Sequence, residues 1–356
     1  MCVIFSPRSA RPHSTSDHRG TDPAVVWELA TEPNRFADPI MIITMSASRA
    51  HVVTASVVVA AAATAVAAAC WAWRRRRLAV QVSLNYQARP PAGKRTGRNI
   101  GEHAATADDL VDIHVPTKVV LADARCRLLP PRLDKEGFEL RRAPTACTNF
   151  KDQAACAAFY EEVRESVLKL TGASRVHVFD HTLRVSGNTN LNSLDGAAAG
   201  AVMRVHGDYT ARSGPIRLQR LVADRVVSAT DAAPRRFAFV NCWRNIDRTS
   251  PVLADPLCCC TWRSVRLRED AWPYLMMYPD RVGQNLALCN DGAAQHAWHY
   301  YPHMTCDEAL FFKVYDSSDA PGVPRFVFHS AFKDPRTPCD APPRQSIEVR
   351  TIAIWD

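Results

Sequence analysis

Beyond residue 172 the chain is built from short runs rich in β-branched and aromatic residues, separated by clusters of Pro, Gly, Asn and Asp. The runs fall at 176–179, 201–205, 237–243, 264–267, 309–315, 325–329 and 347–355, and each has the length and composition of a strand. A single segment, 151–171, carries helix periodicity instead. Phe159, Val163, Val167 and Leu170 recur there at spacings of three and four, Asp152 stands where an N-cap would, and Gly172 stands where the helix would end. One helix followed by many strands predicts a mainly β fold with flanking helices, of class α+β, as a sandwich or barrel. A doubly wound α/β fold is excluded because helices do not alternate with the strands.

The 356 residues are 47% hydrophobic and 22% charged, which rules out wholesale disorder, and no fixed repeat is visible. The net charge of +8 could point to nucleic acid. Much of the positive charge lies in the first hundred residues, however, with four charges in the single run Arg74–Arg77. No nucleic-acid partner is expected. Twelve Cys without a Cys-x-x-Cys pair make neither a disulfide scaffold nor a zinc site. Cys258, Cys259 and Cys260 are consecutive, so on a strand they alternate between faces and read as small buried hydrophobes.

Residues 1–50 mix Pro, Ser, Arg and Asp without periodicity and read as a disordered leader. Residues 52–73 are 22 uncharged, mostly apolar positions, about 33 Å of helix at 1.5 Å per residue. With Trp71 and Trp73 at one end and the Arg run following, 51–79 reads as a transmembrane anchor that places the C-terminal bulk in the cytosol. The other reading is a cytoplasmic protein in which Met41 or Met45 is the start, or in which the leader is not native. Residues 80–356 then form the catalytic-sized domain, with 88–108 a polar, turn-rich loop over its surface.

His206-Gly207-Asp208 comes directly after the expected strand 201–205. Two residues apart on an extended segment, imidazole and carboxylate point to one side and can share a metal. Alone the pattern carries little; its weight comes from the ordered set of residues downstream. His329, 121 residues past Asp208, could close a 2-His-1-carboxylate face, which leaves open positions on Fe(II) for a bidentate 2-oxo acid and dioxygen. On the last strand Arg344, Ser346, Glu348 and Arg350 share one face, and Ile347, Val349 and Ala353 share the other. A polar inner face ending in Arg suits a distal carboxylate, which guanidinium pairs bidentately. His296 is a rival third ligand, but only His329 has an Arg-x-Ser segment at a suitable distance downstream.

The motifs Phe179-Asp180-His181-Thr182-Leu183-Arg184, Val205-His206-Gly207-Asp208-Tyr209-Thr210, Asn241-Cys242-Trp243-Arg244-Asn245-Ile246, His296-Ala297-Trp298-His299-Tyr300-Tyr301-Pro302, Phe312-Lys313-Val314-Tyr315-Asp316-Ser317 and His329-Ser330-Ala331-Phe332-Lys333-Asp334-Pro335 occur in this order. With Ser346-Ile347-Glu348-Val349-Arg350 they resemble the AsaB/CmcJ-type hydroxylase/desaturase family over residues 80–356. That family includes gibberellin desaturase-like proteins, cephem methoxylase-related proteins and fungal natural-product oxygenases.

The resemblance implies a double-stranded β-helix (jelly-roll, cupin-like) core and an Fe(II)/2-oxoglutarate oxygenase acting on a small molecule of secondary metabolism. It places the metal on His206, Asp208 and His329, and the 2-oxoglutarate tail on Arg344 and Ser346, with Arg350 as runner-up. Asn241 and Arg244 either line the cofactor site or are polar strand ends in the barrel wall. Asp180, His181 and Arg184 either do the same or form a buried ion pair. The chain departs from the family at Trp243-Arg244-Asn245, where Trp-Arg-Pro is usual, and at His296-Ala297-Trp298-His299-Tyr300, where His-Arg-Trp-Tyr-Tyr is usual. A lost Arg near the pocket bears on the substrate more than on the iron chemistry.

Two other classes compete. A methyltransferase would want a Gly-rich strand-to-helix loop, and the chain contains no Gly-x-Gly. A non-catalytic, membrane-tethered small-molecule-binding protein on the same scaffold would share the fold but not the iron.

Overall fold

The computed structural model describes residues 79–100, 107–188, 199–233, 235–279 and 281–356. All of them belong to the second of the two units into which the chain divides, Arg74–Asp356. The expected leader, the apolar run 52–73 and the Arg run lie outside the described residues. Among the described residues no helix is long and apolar enough to cross a membrane.

The described strands are, in chain order, β1 Val80–Gln87, β2 Arg95–Asn99, β3 Leu110–Val111, β4 His114–Asp123, β5 Phe138–Arg142, β6 Arg175–Val185, β7 His206–Gly207, β8 Phe237–Asn245, β9 Leu257–Cys260, β10 Ala271–Met277, β11 Val282–Leu288, β12 Trp298–Tyr300, β13 Glu308–Asp316, β14 His329–Ala331 and β15 Gln345–Ile354. The helices are α1 Gln153–Thr171, α2 Ser213–Ala223 and the short α3 Leu267–Asp270. Ten strands form one sheet in the order β1-β4-β12-β9-β14-β7-β11-β10-β2-β3, and five form another in the order β5-β13-β8-β15-β6.

The two sheets meet in one apolar core. Leu121, Cys259, Leu286 and Trp298 come from the large sheet, and Phe239, Trp243, Phe312 and Ile352 from the small one. Strand alternation sends the intervening residues of the small sheet outward. Val240, Cys242, Phe311, Ile347, Val349 and Ala353 pack there against Phe159, Val163 and Val167 of α1, each buried Val, Ile or Phe contributing about 1.5–3 kcal/mol. The arrangement is the mainly β jelly-roll that the sequence predicts.

α1 has the expected ends. The Asp152 carboxylate accepts from the Ala154 and Ala155 amides at 2.8 and 3.2 Å, and Gly172 closes the helix at φ +65°. The consecutive cysteines of β9 are buried and unbridged, as expected.

Several local expectations need correction. Residues 264–267 are not a strand: the Val265 amide bonds back to the Trp262 carbonyl, and Asp270 takes both the Arg266 amide (2.8 Å) and its guanidinium (2.9 Å), which turns the chain into α3. Strand pairing around 201–205 begins only at His206, preceded by a single bridge from Arg204 to Asn85. In 325–329 only His329 is in a ladder. Part of 88–108 is β2, which runs parallel to β10 rather than looping free. β1 and β4, absent from the expected strands, pair over eight residues.

Candidate active site

β7 lies between β11 and β14, and His206 is register partner to both Ala287 and His329. His329 is in turn opposite Cys259 of β9. Residues opposed across an antiparallel pair share a face, so the two imidazoles stand together with ring centroids 4.3 Å apart. Asp208, two residues past His206, lies on the same side.

The donor atoms converge. His206 Nε2 is 3.6 Å and His329 Nε2 3.5 Å from Asp208 Oδ1, and one ligand atom from each residue lies within 4.8 Å of the others. Each ring is oriented from behind. His206 Nδ1–H donates to the Arg204 carbonyl at 2.8 Å, and His329 Nδ1–H to the Val327 carbonyl at 3.2 Å. Carbonyls only accept, so each ring carries a proton on Nδ1 and turns Nε2 toward the shared point, the orientation a metal-ligating histidine needs. Asp208 Oδ2 accepts from Asn241 Nδ2 at 2.8 Å, which turns Oδ1 toward the imidazoles.

The electrostatics agree with the geometry. Burial, reinforced by His329 and Arg204, pulls the His206 pKa well below the ordinary range and keeps the ring neutral. For Asp208 burial works upward, but His329, His206, Arg350 and the Asn241 hydrogen bond outweigh it and hold the carboxyl below its usual value. The rings of Phe312 and Tyr209 help shield the site, Phe312 lying 4.8 Å from His329 and Tyr209 stacking on Phe239 at 4.6 Å.

Beside His206 and Asp208 opens a cavity of about 640 Å³, lined also by Asp180, Arg184, Arg204, Tyr209 and Arg350. Arg350 spans Asp180 at 3.1 Å and Glu348 at 3.0 Å. These acids, with Asp208, raise its pKa against the opposing effect of burial. Arg344 and Ser346 are buried deeper, at 3% and 0% exposure. Arg344 donates to the Asp255 carbonyl and lies over the Trp243 ring at 5.7 Å. Its Nε and the Ser346 Oγ have no hydrogen-bond partner. Burial pulls the Arg344 guanidinium down to about 10, so it remains charged at neutral pH.

The remaining candidates separate by strand parity. Asn241 faces inward, bonding Asp208 and, at 3.3 Å, Glu348. Arg244 is three residues on and faces the opposite way, over Phe159 of α1 at 5.5 Å; it is not brought to the site. Asp180 and Arg184 line the cavity, whereas His181 turns to Tyr160 of α1. His296, the rival ligand, is engaged elsewhere: Nδ1 lies 3.0 Å from the Tyr86 hydroxyl and Nε2 3.3 Å from Asp270. Arg204 is a site residue that sequence reasoning missed. The signal was present, since Arg204-x-His206-x-Asp208 has the same period of two.

A family model described as an oxidoreductase/YMDC permease-like domain matches residues 84–354. Hydroxylase/desaturase efuI of Hormonema carpetanum is 30% identical over 255 residues, covering 67% of this chain and 83% of its own. Hydroxylase/desaturase CTB9 of Cercospora beticola is 32% identical over 246 residues, covering 63% and 72%. This chain belongs to the hydroxylase/desaturase family of Fe(II)/2-oxoglutarate oxygenases. Another relative, the alpha-ketoglutarate-dependent dioxygenase phiK from a fungal species, is 30% identical over 230 residues, covering 63% and 79%. The solved structure of the iron and alpha-ketoglutarate-dependent endoperoxidase NvfI superposes with a TM-score of 0.65 at 23% identity, covering 78% of this chain and 99% of that one. It establishes the family's fold here.

Two features of the site fit the family's cofactors. The two oriented imidazoles with one carboxylate are a donor set for Fe(II) that leaves coordination positions open. The orphaned Arg344 Nε and Ser346 Oγ, both buried, suit a carboxylate.

Proposed function

We propose that this oxygenase hydroxylates or desaturates a small organic molecule, with His206 Nε2, Asp208 Oδ1 and His329 Nε2 as the iron ligands. The observation that carries the reading is the convergence of both Nε2 atoms on Asp208 Oδ1, each ring held by a backbone carbonyl. Iron with 2-oxoglutarate and dioxygen supplies the oxidising power to break an unactivated C–H bond.

The chain's own residues do the rest. His206 and His329 present Nε2, each ring held by its backbone carbonyl, and the lowered pKa of His206 keeps that ring neutral for the metal. Asp208 balances charge, and Asn241 keeps it from rotating. Arg344 and Ser346 take the distal carboxylate of 2-oxoglutarate; Arg350, the runner-up, is already paired to two acids. The flanking aromatic rings reduce access of water to the reacting face. Whether an alcohol or an alkene results depends on substrate placement at the ångström scale.

The test is an anaerobic titration of the full chain with Fe(II) and 2-oxoglutarate, monitored through the visible charge-transfer band of the chelate. A band in the parent and none in a His206→Ala/Asp208→Ala variant is the expected result. A folded parent without a band in excess Fe(II) and 2-oxoglutarate would replace the oxygenase by a small-molecule-binding protein.

We further infer that residues 80–356 are the catalytic domain, that 1–50 are a leader, and that 52–73 tether it to a membrane with the domain on the cytosolic side. The support is the uncharged run with Trp71, Trp73 and Arg74–Arg77 at its end. Carbonate-resistant pelleting of the full chain is expected; release into the supernatant would make it a cytoplasmic protein.

A further inference from the structure

The cavity beside His206 and Asp208 has a wall that the metal site leaves unused. Six arginines line it, Arg98, Arg184, Arg204, Arg217, Arg281 and Arg350, against two carboxylates, Asp180 and Asp208. Both acids are committed, Asp180 to Arg350 and Asp208 to the imidazoles. Arg184 donates to the Gly200 carbonyl at 2.9 Å, and Arg217 lies over the Phe179 ring at 4.8 Å.

Arg98 and Arg204 differ from these. Among the described residues neither forms an ion pair, and Arg98 Nε and Arg204 Nη1 are buried without a hydrogen-bond partner. Asp112, whose charge reaches Arg204, instead sits 3.2 Å from His114 Nε2.

The fold holds both in place. Arg204 precedes His206 by two residues, and its guanidinium lies over the Tyr274 ring at 3.9 Å. Arg98 stands on β2 opposite Met276 of β10. β2 comes this close because Gly97 has no side chain; a Cβ there would lie 2.9 Å from Leu275 Cβ and collide with its carbonyl. Two guanidiniums in a partly desolvated wall repel each other, and burial together with Arg98 lowers the Arg204 pKa. Such a pair is unfavourable alone and favourable around an oxyanion, which accepts from both planar forks. Phe179, Val202, Met203 and Met276 supply apolar surface elsewhere in the same cavity, whose volume suits a metabolite-sized ligand.

We propose that Arg98 and Arg204 form an oxyanion clamp, and that the substrate is therefore an organic anion. Its apolar body fills the cavity, a carboxylate or phosphate sits between the two guanidiniums, and a C–H bond is presented to the His206–Asp208–His329 face. The assignment rests on the oxygenase reading and names its substrate class.

The test uses the full chain, anaerobic and loaded with Fe(II) and 2-oxoglutarate, with 1-anilinonaphthalene-8-sulfonate as fluorescent reporter. Abietic acid should displace the reporter at a concentration roughly tenfold or more below its neutral methyl ester, the scale of a charge-assisted hydrogen-bond pair. Arg98→Gln should weaken abietate by about tenfold and Arg98→Lys by less. Arg98→Gln/Arg204→Gln should abolish the discrimination. Binding of neutral N-phenyl-1-naphthylamine should stay unchanged throughout, and Arg98→Gln should keep the charge-transfer band. Displacement by 1-naphthoate or by 1-naphthyl phosphate, whichever is stronger, identifies the head group, and either supports the clamp. Equal displacement by acid and ester from a protein that has the band overturns the clamp and leaves the oxygenase standing. A folded parent without the band overturns the oxygenase reading instead, whatever the probes do.

Discussion

His206 and His329 are register partners across the antiparallel pair β7–β14, 123 residues apart in sequence. Both rings donate Nδ1–H to the carbonyl two residues upstream. One repeated local device therefore aims both Nε2 atoms, and the strand pairing brings them to the same carboxylate oxygen of Asp208.

Removing a ligand should remove the metal. Asp208→Ala or His329→Ala is expected to weaken Fe(II) binding by more than about a hundredfold, beyond what loss of a supporting group costs. Equilibrium dialysis with Fe(II) under nitrogen measures it. Parent-like affinity in either variant would take that residue out of the metal site.

Asn241 touches Asp208 Oδ2 at 2.8 Å. Asn241→Leu leaves all three ligands present but frees the carboxylate to rotate. Fe(II) affinity should fall by about 10–100-fold, with thermal stability little changed. A melting shift with no loss of affinity would make Asn241 a packing residue only.

His296 should behave as a core residue. It sits between the Tyr86 hydroxyl and Asp270, and the Tyr86 hydroxyl also accepts from Trp298 Nε1 at 2.7 Å. His296→Ala should cost about 2–4 kcal/mol in urea denaturation while the charge-transfer band survives. Loss of the band from a folded variant would restore His296 as a ligand.

Asp316 is fully buried, 2.8 Å from Arg236 and 2.7 Å from Lys313. Burial alone would raise its pKa, but the two cations outweigh it and hold the carboxyl below the ordinary value. A depressed folded pKa means the unfolded chain binds more protons in that window. The stabilisation is therefore complete above the unfolded pKa of about 3.9 and fades as pH falls through the folded value. Asp316→Asn should cost about 3–5 kcal/mol at neutral pH by stranding Lys313, and should flatten the acid limb of the stability curve. An unchanged acid limb would place the pH dependence elsewhere.

Much of this site could be read from the chain. His206-x-Asp208 needs only the period of two along an extended segment, and Arg344, Ser346, Glu348 and Arg350 share a face by the same rule. That rule also separates Asn241 from Arg244, an odd number of residues apart on β8; applied to β8, it would have removed Arg244 from the candidates. It would likewise have added Arg204. Arg98 had no such signal. Its place depends on the parallel pairing of β2 with β10, more than 170 residues away in sequence, and the polar, turn-rich stretch around it reads as loop.

Periodicity, capping and ligand chemistry are local properties. The strand-rich class, α1 with both its caps, and the kinds of side chain available for iron and for a carboxylate are therefore written in the chain alone. That His329 and not His296 comes to stand beside His206 and Asp208, and that Arg98 joins Arg204 in the cavity wall, were decided by the tertiary structure. Those choices depend on which strands become neighbours, and strand pairing is selected by burial of the whole core between two sheets.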